Sequence, residues 1–557
     1  MGASDAREDA VDVLVVGAGP VGLTAAAELR RHGVDCRIID RLPAVQPYAK
    51  AVGVQPRTLE VWESMGLVRE ALDAALPLLG QLTFVNGAPG PQLELGLPPH
   101  APYGFAALPQ YTTERLLGAH LAGFGTTVER GTELLELEQL DGHVRVSLAT
   151  PDGPAELSAR YVVGCDGAHS RVRRAAGIGF TGDAFPEQYM LGDVVVDWDL
   201  PAGYAIRAEH RDGAGGTDDV LVCVPLPGRG RYRMSMLVPP EPGTAPATGA
   251  SAERDEVAHG LAGGRGPGLG DIQAVLDRLS PRPTTAADLR WSSVFRISHR
   301  LADRYRAGRV FLAGDAAHIH PPTGAQGMNT GVQDAYNLAW KLALAVRGLA
   351  ADGLLDSYHA ERRPVGEEVV GRTVRHARAG LDSDPDDPTT MLLREAQLLV
   401  GYRGGPLTGP DGLNGAGPAA GDRAPDCAGL RRPLAGFPTR LFELLRSPRH
   451  TLLLYAGPTA PAAALRGAAS AARTAAHDLL DVYAVLAPEA AARPADLQLP
   501  CVTDPDNAFR TTYGPHDGEA FLVRPDGYLA ARLPTTTPTA VATHLHRTFA
   551  GTDGADG

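Results

Sequence analysis

This sequence predicts an α/β fold in three parts, on three observations. From about residue 10 to 180, apolar strand-like runs alternate with helical periodicity, as in a parallel sheet covered by helices. From 186 to 299 the pattern shifts to stretches such as Arg231–Val238 and Leu289–Ile297 between Gly/Pro-rich turns, as in an antiparallel sheet. Beyond residue 425, strand-like Thr451–Tyr455 and Ala520–Arg524 flank an Ala-rich helical stretch. The parallel-sheet domain is therefore discontinuous, 1–185 and 300–380, with an antiparallel-sheet domain inserted at 186–299 that takes part of 80–110. Residues 381–425, rich in Asp/Pro and Gly/Pro around one short helix at 391–400, form a linker, and 426–557 fold as a third domain.

The first element carries the most information. Residues 13–22 read V-L-V-V-G-A-G-P-V-G, a strand running into a glycine turn. A helix follows from Leu23 to Arg31, with Gly33 as its stop, and a second strand, Cys36–Asp40, ends in a carboxylate. That register is the Rossmann-type dinucleotide fingerprint. Gly17 allows the tight turn, Gly19 lets a diphosphate approach the backbone, and Gly22 lets the helix lie close to the sheet. The helix N-terminus favours an anion through its free N–H groups and dipole, and Pro20 in the turn is a further cofactor-binding candidate. Asp40 is placed to accept hydrogen bonds from an adenosine ribose, and Arg41 beside it joins the cofactor-binding candidates.

Composition narrows the class. The 557 residues are 44% hydrophobic and 21% charged, an ordinary globular balance. A net charge of −13 argues against nucleic acid or an anionic membrane surface as partner. Five cysteines, at 36, 165, 223, 427 and 501, show neither C-x-x-C nor metal spacing, so no disulfide framework or metal site is expected. No apolar run reaches membrane-spanning length and the N-terminus has no signal-peptide core, which points to the cytoplasm.

Two further segments turn a dinucleotide into a flavin. Tyr161–Arg171 is a buried-type strand ending in Asp166-Gly167. Residues 309–331 read R-V-F-L-A-G-D-A-A-H-I-H-P-P-T-G-A-Q-G-M-N-T-G. Asp315 ends that strand where it can accept from ribityl hydroxyls. Pro322, Gly324, Gly327, Met328 and Asn329 form a tight loop leading into a helix over 331–349, whose apolar stripe of Leu338, Leu342, Ala345 and Leu349 is core packing. Backbone amides at the start of that helix can stabilise negative charge on a reduced flavin ring.

On these motifs the chain resembles the group A flavoprotein monooxygenases, the family of p-hydroxybenzoate and phenol hydroxylases and the aromatic polyketide hydroxylases. G-A-G-P-V-G at 17–22, C-D-G-A-H-S-R at 165–171 and A-G-D-A-A-H with P-P-T-G-A-Q-G-M-N at 313–329 match its three fingerprints. Leu108–Leu116 resembles the segment whose glutamine contacts the flavin, here Gln110. Where the family commonly carries an arginine near the flavin, this chain offers Lys50, which keeps the charge and loses the planar fork. The stretches at 421–426 and 522–528 look like the thioredoxin-like tail of the polyketide and phenol hydroxylases; without C-x-x-C its role is packing or subunit association, with a homodimer as candidate assembly.

The resemblance implies FAD as cofactor, NAD(P)H as cosubstrate, and O₂ and an aromatic small molecule as partners. It implies hydroxylation of a phenolic or quinonoid polycyclic substrate through a flavin C4a-hydroperoxide. A Baeyer–Villiger oxygenase on the same scaffold, or a flavin-holding protein without turnover, stays open. No catalytic base stands out, since His318 and His320 beside the third motif read equally well as structural. Arg207, Tyr232 and Trp291 are the substrate-binding candidates of the inserted sheet.

Overall fold

A computed structural model describes residues 10–47, 49–213, 216–238, 260–261, 266–379, 386–409, 416–492, 494–535 and 537–551. Among these the chain forms a mixed α/β structure with four sheets, of eight, nine, seven and three strands. No described helix is long and apolar enough to cross a membrane.

The eight-stranded sheet is centred on Ala10–Val16, which pairs in parallel with Cys36–Asp40 on one side and Gly153–Gly164 on the other. Val310–Leu312 extends the parallel set beyond Gly153–Gly164. Strands covered on both faces read as continuous apolar runs, and Val13, Leu14 and Val15 are fully buried. The carboxyl ends of these four strands lead to Gly17, Asp40, Asp166 and Asp315, the place where open α/β sheets bind ligands. A close crossing fixes the turn: a Cβ on Gly22 would stand 1.8 Å from the Gly17 carbonyl oxygen.

The nine-stranded sheet is built largely from the antiparallel strands Phe180–Val196, Tyr204–Arg211, Thr217–Pro225, Arg231–Leu237 and Ala286–Ala302. Gly80–Val85 joins its edge in parallel with Tyr204–Arg211, and Ala88–Glu94 pairs outside it. The two seventeen-residue strands run past residues 186 and 299 because they pair with each other down to Phe180 and Ala302. Helix Leu269–Leu279 covers one face, packing Ile272, Val275 and Leu276 against Met190, Tyr232, Met234 and Met236. The other face meets the parallel-sheet region. Of the Gly/Pro/Thr-rich stretch 241–270, only 260–261 and 266–270 fall among the described residues.

Two expected helices move. The long helix starts at Gln326 instead of 331 and ends at Val346, so Gly327, Met328 and Asn329 belong to its first turn and not to a loop. Ala325 in the left-handed region (φ 55°, ψ 37°) ends the loop abruptly, and the Asn329 amide donates back to its carbonyl at 2.7 Å. The short helix expected at 391–400 spans Pro388–Glu395, because Asp387 caps it by accepting from the N–H groups of Thr389 and Thr390 and Pro388 occupies its first position.

The stretch read as a linker is built into the core in its described parts. Glu395 bonds Gln326 and pairs with Arg372, Gln397 bonds Gln326 and Thr330, and the Tyr402 hydroxyl accepts from Arg362.

The seven-stranded sheet places His450–Ala456 between Leu480–Leu486, parallel to it, and Glu519–Val523, antiparallel, with Leu529–Pro534 beyond. A buried network joins this sheet to the two long helices, Gln326–Val346 and Asp356–Ala379. Arg524 donates to Glu361 at 2.6 and 2.9 Å, Lys341 donates to Glu361 at 2.8 Å, and Asn337 donates to Asp526 at 3.0 Å.

Candidate active site

One cavity of about 600 Å³ opens between the carboxyl ends of the parallel strands and the free face of the nine-stranded sheet. Twelve of the fifteen expected cofactor residues line it: Gly17, Gly19, Pro20, Asp40, Arg41, Lys50, Gln110, Asp166, Asp315, Pro322, Gly327 and Met328.

The glycine turn fits a diphosphate. Gly17 has φ +99° and a Cβ there would strike the Cys165 carbonyl oxygen at 2.4 Å, so only glycine serves. A Cβ on Gly19 would meet nothing within 4 Å, so its backbone faces open cavity. Helix Pro20–Arg31 begins there, and its first N–H groups have no intrahelical acceptor. Asp40 accepts from the Ala18 N–H at 2.7 Å and the Leu42 N–H at 2.8 Å, which aims the carboxylate along the cavity wall and leaves lone pairs for a hydroxyl.

Asp315 is exposed while residues 310–314 and 316–320 around it are buried, so its carboxylate faces the cavity. The turn that presents it is held from beneath. Gly314 donates to Asp334, which also accepts from Arg362 and lies 2.7 Å from His318. Burial alone would raise the Asp334 carboxyl, but Arg362 and His318 pull it below the ordinary aspartate range. His318 is thereby structural, whereas His320 lines the cavity with its Nδ1 2.8 Å from the Pro321 carbonyl.

Lys50 is exposed to the cavity yet enclosed by protein; that enclosure lowers its ammonium from the ordinary lysine range, with Asp315 and Glu114 opposing. Gln110 fixes the Lys50 segment, accepting from the Ala51 N–H at 3.2 Å while donating to Glu114 at 2.8 Å. Asp166 lines the cavity, but its oxygens accept from the Ser170 hydroxyl and the N–H groups of Arg171 and Val172. It takes up the first N–H groups of the helix Arg171–Ala175, whose N-cap is Ser170, and holds the turn in shape.

Gly22, Gly324 and Asn329 do not line the cavity. Gly22 serves the helix–strand crossing. Gly324 (φ +71°) packs against Glu395, whose Oε2 would stand 2.2 Å from an added Cβ. Both ends of the Asn329 amide are occupied: its oxygen accepts from the Gln55 N–H at 2.9 Å and the Thr58 hydroxyl at 2.7 Å, and its nitrogen donates to Gly53 and Ala325. It ties the helix start to a neighbouring segment.

The substrate candidates of the sheet miss the cavity. Arg207 pairs with Glu209, and Tyr232 lies 5.2 Å from Trp198 on the helix-covered face. Trp291 is half-buried away from the lining. The sheet instead contributes Tyr189, Leu191, Arg233, Ser235, Phe295 and Ile297. The signal was parity. In Arg231–Leu237, Tyr232, Met234 and Met236 form the apolar face against the helix, so Arg233 and Ser235 point the other way. The sequence choice fell one residue off. Gln326, at the first turn of the long helix, was also missed.

Known proteins resemble this chain over nearly its whole length. A family model described as the FAD binding domain matches residues 10–373, and one described as the C-terminal domain of aromatic-ring hydroxylases matches 417–552. The 6-methylpretetramide 4-monooxygenase of Streptomyces rimosus is 35% identical over 569 residues, covering 97% of this chain and 94% of the relative. The 12-dehydrotetracycline 5-monooxygenase/anhydrotetracycline 6-monooxygenase of Streptomyces rimosus subsp. rimosus is 33% identical, covering 97% and 99%. Among solved structures, a ternary complex of aklavinone-11 hydroxylase with FAD and aklavinone superposes with a TM-score of 0.72 at 27% identity, covering 96% of this chain and 98% of that one.

Proposed function

The chain belongs to the FAD-dependent aromatic-ring hydroxylases, a family of flavoprotein monooxygenases, and from that membership we propose that it hydroxylates a polycyclic phenol or quinone of polyketide type, using NAD(P)H and O₂. The observation that carries this reading is a single cavity with two kinds of wall. One is a glycine turn with inward carboxylates; the other is a sheet face carrying Leu191, Phe295 and Ile297.

The residues present fit FAD. Gly19 and the first N–H groups of helix Pro20–Arg31 would hold the diphosphate, Asp40 a ribose and Asp315 the ribityl hydroxyls. The first N–H groups of helix Gln326–Val346 would face the ring, where the helix dipole favours added negative charge. When bound, FAD supplies electron transfer from the nicotinamide and activation of oxygen. The protein's own part is to orient the aromatic ring and to exclude water with Leu191, Phe295, Ile297 and Met328. Hydroxylation is favoured over a Baeyer–Villiger outcome by the aromatic-ring hydroxylase match of the C-terminal region.

We read the region after 426 as a thioredoxin-like domain inactive in redox chemistry. Its central order of Leu480–Leu486, His450–Ala456, Glu519–Val523 and Leu529–Pro534 supports that reading, as do its buried, unpaired Cys427 and Cys501. Packing is its proposed role, since Arg524 and Asp526 bind the long helices.

The test is direct. Purified protein should be yellow with bound FAD, and a hydroxylated polycyclic quinone should speed NAD(P)H oxidation and give a product one oxygen atom heavier. A colourless protein that takes up no FAD, or oxygen uptake with unaltered substrate across a broad screen, would reject the reading.

A further inference from the structure

The sheet presents to the cavity a cation that nothing around it neutralises. Arg233 lies on the cavity face of Arg231–Leu237, half-buried, and its Nε is buried without a hydrogen-bond partner. Among the described residues, no carboxylate stands within ion-pair distance of its guanidinium. The acid facing it across the ladder is turned toward other cations. Asp193, opposite Arg233 in register, accepts from Arg231 on Oδ1 at 2.7 Å and has Arg290 3.9 Å from Oδ2, which accepts no hydrogen bond, while Arg231 also pairs with Asp288. Two carboxylates and two guanidinium groups balance there, and Arg233 stands outside the set.

Burial pushes the Arg233 guanidinium down to about 10, which still leaves it cationic at neutral pH. An enclosed charge without a partner is unfavourable, so its presence in a binding chamber calls for a ligand that supplies the opposite charge. The cofactor's phosphates have their own site at the glycine turn of the other sheet. Beside Arg233 on the same face come the Ser235 hydroxyl and its ladder partner Leu191, and further along the strands the lining continues to Tyr189 and Phe295, a surface for an aromatic body with one polar edge.

We infer that Arg233 receives an oxyanion of the substrate, a carboxylate or an ionised phenol, and makes a negatively charged aromatic the preferred occupant of the chamber. The inference rests on the proposed function and adds a charge to its substrate class. A guanidinium suits such a group because its planar fork can donate two parallel hydrogen bonds to a delocalised anion.

The experiment uses the FAD-loaded protein and two matched probe pairs: a dihydroxyanthraquinone carboxylate with its methyl ester, and an ionisable dihydroxyanthraquinone with its methyl ether. Binding is followed by the change in flavin absorbance. Wild-type protein should prefer the charged member of at least one pair by about tenfold or more, the scale of a charge-assisted hydrogen bond, and the pair that discriminates identifies the oxyanion. Arg233→Gln should abolish that preference while keeping FAD content and a melting temperature no lower than that of wild type; Arg233→Met, close in volume, should do the same. A preference that survives both substitutions, or wild type indifferent to charge in both pairs, overturns the inference and leaves the monooxygenase reading standing. Wild-type protein that holds no FAD overturns the reading and the inference together.

Discussion

The glycine-turn end of the cavity is built on a backbone turn and two helix starts, with Asp40, Asp166 and Asp315 at strand ends, whereas the sheet wall offers side chains alone. Backbone recognition needs glycines at fixed spacing, so it is written locally in the chain. Side-chain recognition on a sheet depends on which of two faces each residue takes, and that is decided by pairing across strands far apart in sequence.

If the first end is set by backbone geometry, its glycines should be the most sensitive positions in the molecule. Gly22→Val should prevent accumulation of soluble FAD-bound protein, because its Cβ would fall 1.8 Å from a carbonyl oxygen in a crossing that cannot open; expression with flavin quantification checks this. Next comes the support beneath Asp315. Asp334→Asn should cost roughly 3–5 kcal/mol by leaving Arg362 buried without its carboxylate, read as a fall in the unfolding midpoint. The sign with pH follows from a folded carboxyl held below its ordinary value of 3.8. Its stabilisation is present above that value and is lost as pH falls below it. Wild type should therefore lose stability across that range while the Asn variant changes less.

A smaller pair of changes separates cofactor binding from folding. Gly19→Ala puts a methyl where a cofactor should lie while touching no protein atom within 4 Å, and Asp315→Asn alters a cavity-facing acceptor. Each should weaken FAD by about 1–2 kcal/mol with the apoprotein's melting temperature unchanged, measured by titrating apoprotein with FAD. On the sheet wall, Phe295→Ala should raise KM for an aromatic substrate by roughly fivefold to tenfold without loss of flavin. Tyr232→Phe, on the covered face, should shift substrate KM by no more than about 0.5 kcal/mol. An equal effect of these last two would break the face assignment.

The legible parts of the chain follow this division. Gly17, Gly19, Asp40 and Asp315 were readable because strand, turn and helix lie consecutively around each. Gly22 was placed rightly for packing, but Gly324 and Asn329 looked like cofactor contacts and instead brace the loop against Glu395 and the segment of Gln55 and Thr58. Those partners lie tens to hundreds of residues away, and no local pattern announces them. The stretch 381–425 misled through composition. Its Gly and Pro content suggested a tether, while Glu395, Gln397 and Tyr402 carry buried hydrogen bonds. Arg233 was within reach, since the alternation of Tyr232, Met234 and Met236 already assigns the faces of that strand.

The central claim is that one cavity holds FAD at its backbone-lined end and the substrate against the sheet. Electron density from crystals soaked in FAD tests it most directly. The diphosphate should lie over Gly19, the ribityl chain beside Asp315, and the ring against Gly327 and Met328 with its open edge toward Phe295 and Arg233. Density that places the diphosphate away from Gly19, or the ring outside this chamber, would contradict the account.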